Sequence, residues 1–246
     1  MSKFAVLVVA AGSGQRFGDR ENKILAVLDG QPLFLRALQL FVNREDVCQT
    51  LLIVSPDDMP AMKEKFGANL GFMGVQLVQG GAERADSVAA GLAAVSIDAE
   101  YVAVHDAVRV CVAQDWIDTV FAAAQKSGAA IPVVPVTATL KRVQPDKTLG
   151  DTVPRDGLVM AQTPQAFKKT LLRAAYENLA TLRAAGPVTD DAQLVTAAGH
   201  PVAAVEGDPR NIKITTKADL ALAGAILKAL PQKPANRRGA FEEAQW

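Results

Sequence analysis

The segment Phe4–Ala10 reads Phe-Ala-Val-Leu-Val-Val-Ala, with no polar residue to interrupt it. A strand with one face in water alternates apolar and polar side chains, whereas an unbroken apolar strand must be covered on both faces. That requirement restricts the chain to a sheet lying between layers of helix. The sequence that follows supplies those helices in alternation with more strands. Pro32–Arg44 repeats apolar residues at helical spacing, with Leu33, Leu35, Leu38 and Phe41 on one side. Leu51–Val54 and Val75–Val78 read as strands, the first followed by the helix-start signal Ser55-Pro56-Asp57. Ser87–Val95 reads as a helix presenting Val88, Leu92 and Val95. Tyr101–His105 and Ala129–Val136 read as further strands, separated by a helix Trp116–Lys126 capped by Asp115. Strand-then-helix alternation implies parallel pairing with right-handed crossovers, so the expected class is α/β, a mostly parallel sheet flanked by helices.

The rhythm breaks between Thr137 and Gly157. Thr139–Val143 and Thr148–Val153 flank the turn signal Gln144-Pro145-Asp146-Lys147 and read as a protruding β-hairpin arm over residues 137–156. A lone two-stranded hairpin is marginal in water, so the arm is expected to pack on a second subunit and make a homodimer. Leu158–Ala161 returns to the sheet, and Gln165–Ala184 reads as one long helix. Thr189–Ala198 reads as another, with Thr189 as N-cap and Asp190 and Asp191 in the first turn. Val202–Glu206 and Asn211–Thr215 read as short strands and Lys217–Leu230 as the closing helix. Residues 1–230 are expected to form a single domain, and the tail 231–246, without period, reads as disordered.

Composition narrows the partners. Lys+Arg and Asp+Glu are both 26, so the net charge is zero. A neutral chain lacks the basic excess of a protein that coats nucleic acid or a membrane surface, and an anionic partner must be met by a local cluster of cations. Cys48 and Cys111 are too few for a disulfide scaffold and have no zinc spacing. No apolar run reaches the roughly 18 residues of a membrane span, and no basic segment precedes the first apolar run as in a secretory signal. The expectation is a cytoplasmic protein.

Three stretches carry chemistry. After the first strand comes Ala10-Ala11-Gly12-Ser13-Gly14-Gln15-Arg16-Phe17-Gly18. A dinucleotide fingerprint would need a third glycine and a crossover helix, and Arg16–Lys23 offers no apolar face for one. The lysine-serine/threonine ending of a P-loop is also missing. The stretch reads instead as a phosphate cradle of backbone N–H groups at the carboxyl edge of the sheet, with Arg16 and Lys23 supplying charge. A solvated surface loop is the plainer alternative. The second stretch, Gly80-Gly81-Ala82-Glu83-Arg84-Ala85-Asp86-Ser87, bares backbone against which a planar base could lie; by itself Ser87 reads as a helix N-cap. The third is Val104-His105-Asp106-Ala107-Val108-Arg109. Asp106 stands where open α/β sheets bind ligands, and a carboxylate beside a phosphate site suits Mg2+. Arg109 could hold a second anion by a bidentate fork, or simply pair with Asp106. His105 reads as a packed strand-end residue. Lys213, alternating with Ile212 and Ile214, reads as leaving the apolar face.

Taken in order, Ala10–Phe17, Lys23, Gly80–Leu92, Val104–Arg109, Thr139–Arg142, Arg155, Gln162–Phe167, Thr189–Asp191 and Glu206–Thr215 resemble the 2-C-methyl-D-erythritol 4-phosphate cytidylyltransferases. The resemblance implies a Rossmann-like nucleotidyltransferase fold with a seven-stranded mixed sheet, dimeric through the arm. It implies that CTP and the polyol phosphate react with Mg2+ to give the CDP-alcohol and pyrophosphate. The backbone of Ala10, Ala11, Gly12, Ser13 and Gly14, with Arg16 and Lys23, would hold the triphosphate. Gly80, Gly81, Ala82 and Ser87 would read cytosine. Asp106 would hold Mg2+ and help seat the substrate. Arg109, Thr163, Thr189 and Lys213 would grip the sugar phosphate, with Thr139 and Arg155 reaching it from the partner's arm. Arg16, Lys23 and Lys213 would be the catalytic cations. Two departures stand out: Asn22 precedes Lys23 where the family often has Pro, and Ala82 follows the paired glycines where it often has an acid. A transferase for another polyol phosphate, such as ribitol 5-phosphate, is the nearest alternative. The chemistry agrees with the residues, because a phosphate oxygen is already anionic and needs fixed cations more than a strong base.

Overall fold

A computed structural model describes residues 3–12 and 23–231, with the side chain of Lys23 left aside. Ser13, Gly14 and Arg16, and residues 232–246 of the tail expected to be disordered, lie outside the described residues. The elements are β1 (Phe4–Val9), β2 (Val27–Leu28), β3 (Gln31–Pro32), α1 (Leu33–Gln39), β4 (Val47–Val54), α2 (Met59–Phe72), β5 (Val75–Gln79), α3 (Arg84–Ala93), β6 (Tyr101–Asp106) and α4 (Gln114–Ser127). There follow β7 (Ala129–Pro135), β8 (Leu140–Val143), β9 (Leu149–Val153), β10 (Val159–Ala161), β11 (Gln165–Lys168), α5 (Lys169–Glu177), α6 (Leu179–Ala185), α7 (Asp191–Ala197), β12 (Ala203–Glu206) and α8 (Lys217–Ala229).

Among the described residues the main sheet has eight strands, ordered β10-β7-β11-β6-β1-β4-β5, with β12 also paired to β7. The seven strands implied by resemblance become eight. β1 runs parallel to both β4 and β6, and β4 to β5. The unbroken apolar run of β1 is explained by its two faces. Phe4, Val6 and Val8 pack with α1, α2, α4 and α8, where Phe4 stacks on Phe121 with centroids 3.8 Å apart. Ala5 and Leu7 pack on the other face with Val88 and Leu92 of α3, Leu172 of α5 and Leu194 of α7. On α1 the buried face is Leu33, Phe34, Ala37 and Leu38, continued by Phe41, while Leu35 is only half-buried.

Several expected elements are corrected. Gln165–Ala184 is not one helix: β11 occupies its start, antiparallel between β6 and β7, and α5 and α6 are separated at Asn178. Gln165, Ala166 and Phe167 are buried, and the gap between β6 and β7 is filled only by a strand, so sheet closure overrides local pattern. α3 starts at Arg84 rather than Ser87, which lies inside the helix. α4 starts at Gln114 with Ala113 at its N-cap, so Asp115 sits in the first turn. α7 is capped by Asp190, whose Oδ1 accepts from Gln193 N at 2.9 Å, not by Thr189. Asn211–Thr215 makes no ladder; it is tied instead by Ile214 N–H to Val108 O at 3.1 Å.

The arm forms as expected. β8 and β9 pair antiparallel as a separate two-stranded sheet, with Val143 and Leu149 exposed. Cys48 and Cys111 are free thiols. Among the described residues no helix is long and apolar enough to cross a membrane.

Phe167 carries the packing of β11 against the second core face. Phe167→Ala is expected to cost about 3–5 kcal/mol of unfolding free energy, measured by denaturant titration; a loss below about 1 kcal/mol would count against that packing role.

Candidate active site

The carboxyl ends of β1, β5 and β6 lie on one edge of the sheet, and the loops that leave them build the site. Ala10 N–H donates to Ile53 O at 2.7 Å, Gly80 N–H to Val54 O at 2.7 Å and Ala107 N–H to Val9 O at 3.0 Å. These bonds carry the ladder one residue past each strand and fix where the loops turn away. The first two glycine stretches meet here: a Cβ on Gly80 would lie 3.0 Å from Ala11 Cβ and 2.6 Å from Ser87 Oγ. A Cβ on Gly81 would lie 2.4 Å from Asp86 Cβ. Both positions therefore exclude a side chain for a steric reason. Ala11 is half-buried, and Gly12 and Ala82 are exposed at this edge.

Ser87 is fully buried and its hydroxyl is engaged on both sides. It donates to Glu83 O at 3.0 Å and accepts from Gly81 N–H at 3.2 Å. Its role in this state is to hold the glycine turn in shape. Outside the turn, Arg183 of α6 reaches Glu83 at 3.2 Å and Asp86 at 2.8 Å.

Asp106, the last residue of β6, is the centre of charge. Lys213 Nζ stands 2.9 Å from its Oδ2, Arg109 Nε 3.5 Å from the same oxygen, and Arg84 Nε 3.5 Å from Oδ1. Burial alone would push the Asp106 carboxyl up, but Arg84, Lys213 and Arg109 outweigh it and hold the group well below the usual carboxylate range. Lys213 is set between two anchors, since Arg109 Nη1 donates to Asn211 O at 2.7 Å and Ile214 is tied to Val108. The Arg109 guanidinium is thus turned toward Asp106, Asn211 O and Ala161 O rather than held open as a free fork.

Thr163 lies beside the base of this cluster. It is buried, and its hydroxyl accepts from Asp106 N–H at 3.2 Å and faces His105 Nδ1 at 3.0 Å. His105 Nε2 lies 2.8 Å from Arg109 O, an atom that can only accept. Nε2 therefore carries the proton, Nδ1 accepts from Thr163, and the ring is neutral. Burial pushes its pKa down to about 4. His105 is the packed strand-end residue expected, and Thr163 stands behind Asp106, bonded to its N–H and to His105.

Thr189 is exposed and bonds Gln193 Oε1 through both its N–H and its hydroxyl. Thr139 and Arg155 lie exposed on and beside the arm, where Arg155 Nη1 donates to Thr137 O. Among the described residues, neither bonds to the Asp106 cluster. Arg84 and Asp191 received no role from sequence, yet Arg84 Nη2 lies 2.9 Å from Asp191 Oδ2. The signal available was charge within quoted motifs, Arg84 beside the paired glycines and Asp191 at a helix start; nothing in it showed that they touch.

Glycine loops at the carboxyl ends of parallel strands, opening beside a carboxylate ringed by cations, define a Rossmann-like nucleotidyltransferase. The comparisons make this specific. The chain belongs to the 2-C-methyl-D-erythritol 4-phosphate cytidylyltransferase (IspD) family, whose sequence model matches residues 4–229. It is 42% identical to the cytidylyltransferase of that name from Rhodopirellula baltica over 91% of this chain and 94% of the relative. It is also 42% identical to that from Chromobacterium violaceum, over 91% and 97%. Among solved structures, the Thermus thermophilus enzyme superposes with a TM-score of 0.74 at 35% identity, covering 93% of this chain and all of that one. The Francisella tularensis enzyme gives 0.77 at 27% identity over 92% of this chain.

The neutral His105 gives a pH signature. The folded chain protonates it near 4 and the unfolded chain near 6.5. Between those values the unfolded state binds more protons, so stability falls as pH drops from 6.5 to 4. Asp106, ordinarily near 3.8 and held lower in the folded chain, adds to the loss in the same direction only at the acid end of that window. The His105 share of the loss should approach about 3 kcal/mol at most, and His105→Gln should flatten the part between about pH 6.5 and 5; a wild-type unfolding free energy independent of pH between those two values would refute a neutral buried ring.

Proposed function

We infer that the chain transfers the cytidylyl group of CTP to 2-C-methyl-D-erythritol 4-phosphate, giving the CDP-alcohol and pyrophosphate. Membership of the cytidylyltransferase family across nearly the whole chain carries this reading. The meeting of the glycine loops beside Asp106, Arg84, Arg109 and Lys213 supports it, because the reaction brings two anions together and needs just such a fixed cluster.

The attacking atom is a phosphate oxygen of the acceptor, already ionised at neutral pH. It forms a bond to the α-phosphorus of CTP as the bond to the bridging α–β oxygen breaks, and pyrophosphate leaves with that electron pair. No covalent enzyme intermediate is required. The chain's part is to hold both anions in line and to meet the charge that builds on the α-phosphate and leaving group. In this reading the backbone of Ala10–Gly14 with Arg16 and Lys23 cradles the triphosphate, and the bare backbone of Gly80–Ala82, shaped by Ser87, receives the base. With backbone doing the reading, Ala82 suffices at its position. Lys213, with 41% of its side chain exposed beside Asp106, is available to the acceptor phosphate. Arg109 and Thr163 act from behind by fixing Asp106 and Asn211.

Among the described residues no group of three or more His, Cys, Asp or Glu side chains gathers to hold a metal. Mg2+ commonly takes one or two protein carboxylates together with substrate phosphates. Asp106 fits as that single carboxylate, since it is held ionised and, among the described residues, its Oδ1 has only the 3.5 Å contact to Arg84. Bound with the triphosphate there, Mg2+ would supply further positive charge against the phosphates.

A second subunit completes the proposal. Val143 and Leu149 on the arm, with Leu158, Val159 and Met160 at its return to the sheet, are exposed large apolar residues. Burying them against a partner's arm accounts for their exposure, and would carry Thr139 and Arg155 toward the partner's acceptor site.

Pyrophosphate release should appear with CTP, Mg2+ and methylerythritol phosphate, and not with ATP, GTP or UTP or with ribitol 5-phosphate as acceptor. Release with ribitol phosphate alone would keep the mechanism and change the substrate. Lys23→Ala should lower kcat by roughly 10²–10³, the scale of losing one preorganised charge donor; near-normal turnover would remove Lys23 from the mechanism. Deleting Thr139–Thr152 should give an inactive monomer by light scattering and assay, and an active monomer would overturn the role of the arm.

A further inference from the structure

Behind Asp106 lies a chain of half-buried and buried polar groups that the mechanism has not used. Arg84 is the first residue of α3, directly after the glycine turn. Its guanidinium spans two carboxylates, with Nε 3.5 Å from Asp106 Oδ1 and Nη2 2.9 Å from Asp191 Oδ2. Asp191 is fully buried at the start of α7. Its Oδ1 accepts from the Tyr176 hydroxyl of α5 at 2.6 Å, and its backbone N–H donates to Gln165 Oε1 at 3.1 Å. Burial opposes the charge on Arg84, but Asp191 and Asp106 more than compensate and raise its pKa. Burial and Asp191 likewise push the Tyr176 phenol up, so it stays a donor.

A buried ionic chain is a poor way to stabilise a fold, because desolvating the charges offsets most of what their attraction returns. Apolar residues would fill the same volume at no loss. What the chain provides is geometry. It runs Tyr176–Asp191–Arg84–Asp106–Lys213 and joins α5 and α7, which cover one face of the sheet, to the base-side turn and then to the cation nearest the acceptor phosphate. A planar guanidinium can hold two carboxylates at a fixed separation; an ammonium on a flexible stem cannot.

We propose that Arg84, anchored by Asp191 and Tyr176, is a positioning residue that fixes the Asp106 carboxylate and through it the ammonium of Lys213. The inference rests on the reading of Lys213 as the acceptor-phosphate cation. It assigns Arg84, Asp191 and Tyr176 no contact with either substrate.

Two variants separate geometry from charge. Arg84→Lys keeps the charge and loses the fork. Tyr176→Phe keeps the volume and loses one hydroxyl far from the substrates, so it should fold even if the first does not. Both are assayed for kcat and acceptor KM, for CTP affinity by calorimetry without acceptor, and for thermal unfolding. Arg84→Lys should lower kcat about 10- to 100-fold, the range for loss of a supporting contact behind a reacting group. Tyr176→Phe should do so to a smaller degree in the same direction, and CTP affinity should stay within about twofold in both. Unchanged kcat and acceptor KM in either folded variant would overturn the proposal. So would a matching loss of CTP affinity, which would make Arg84 a nucleotide ligand. A wild-type chain silent on CTP and the polyol phosphate would sink the functional reading alone. The positioning claim would then be read from a crystal structure of Tyr176→Phe, where an undisturbed Asp106–Lys213 pair would refute it and a displaced one would support it.

Discussion

Everything in this molecule follows from the need to cover both faces of β1. Its side chains alternate between two cores, Phe4, Val6 and Val8 to one side and Ala5 and Leu7 to the other, and neither set tolerates water. Helices on both faces require crossover connections, and crossovers make the neighbouring strands parallel. Parallel strands end on the same edge. The loops after β1, β5 and β6 are therefore delivered to one place, whatever their own sequences, and that place becomes the site.

At that edge the chain gathers charge that its overall neutrality would not suggest. Asp106 is surrounded by Arg84, Arg109 and Lys213, drawn from α3, the loop after β6 and the segment before α8. The cluster is net positive, which suits a reaction between two anions. It is also over-determined: His105 and Thr163 fix the backbone at Asp106 and Arg109, and Asn211 O takes the Arg109 guanidinium. A preorganised cluster does not have to reorganise as charge develops, and this is the main way electrostatics accelerates phosphoryl chemistry.

Much of the fold was legible. The unbroken apolar strands, the alternation with helices and the hairpin arm follow from patterns of period and turn chemistry that are local in the chain. β11 was not, because Gln165–Lys168 is a strand only by virtue of the space between β6 and β7. The segment holding Lys213 has a strand's alternation but no neighbour to pair with, so it is pinned by single bonds instead. Of the candidate site residues, Asp106 and Lys213 sit together and Ala11, Gly80 and Ser87 meet, while Thr163 and Arg109 are turned inward as braces.

The sequence by itself determined the class of the sheet, the edge at which the loops emerge and, through ordered motifs, the family. Those properties are written in local periodicity and in residue types at short spacing. Tertiary structure alone decided which groups touch. Arg84 lies 107 residues before Asp191, and their meeting with Tyr176 depends on how α3, α5 and α7 pack over one face of the sheet. Whether a threonine faces a ligand or a histidine, and whether an arginine is a fork or a brace, is settled by contacts between segments whose spacing in the sequence carries no trace of them.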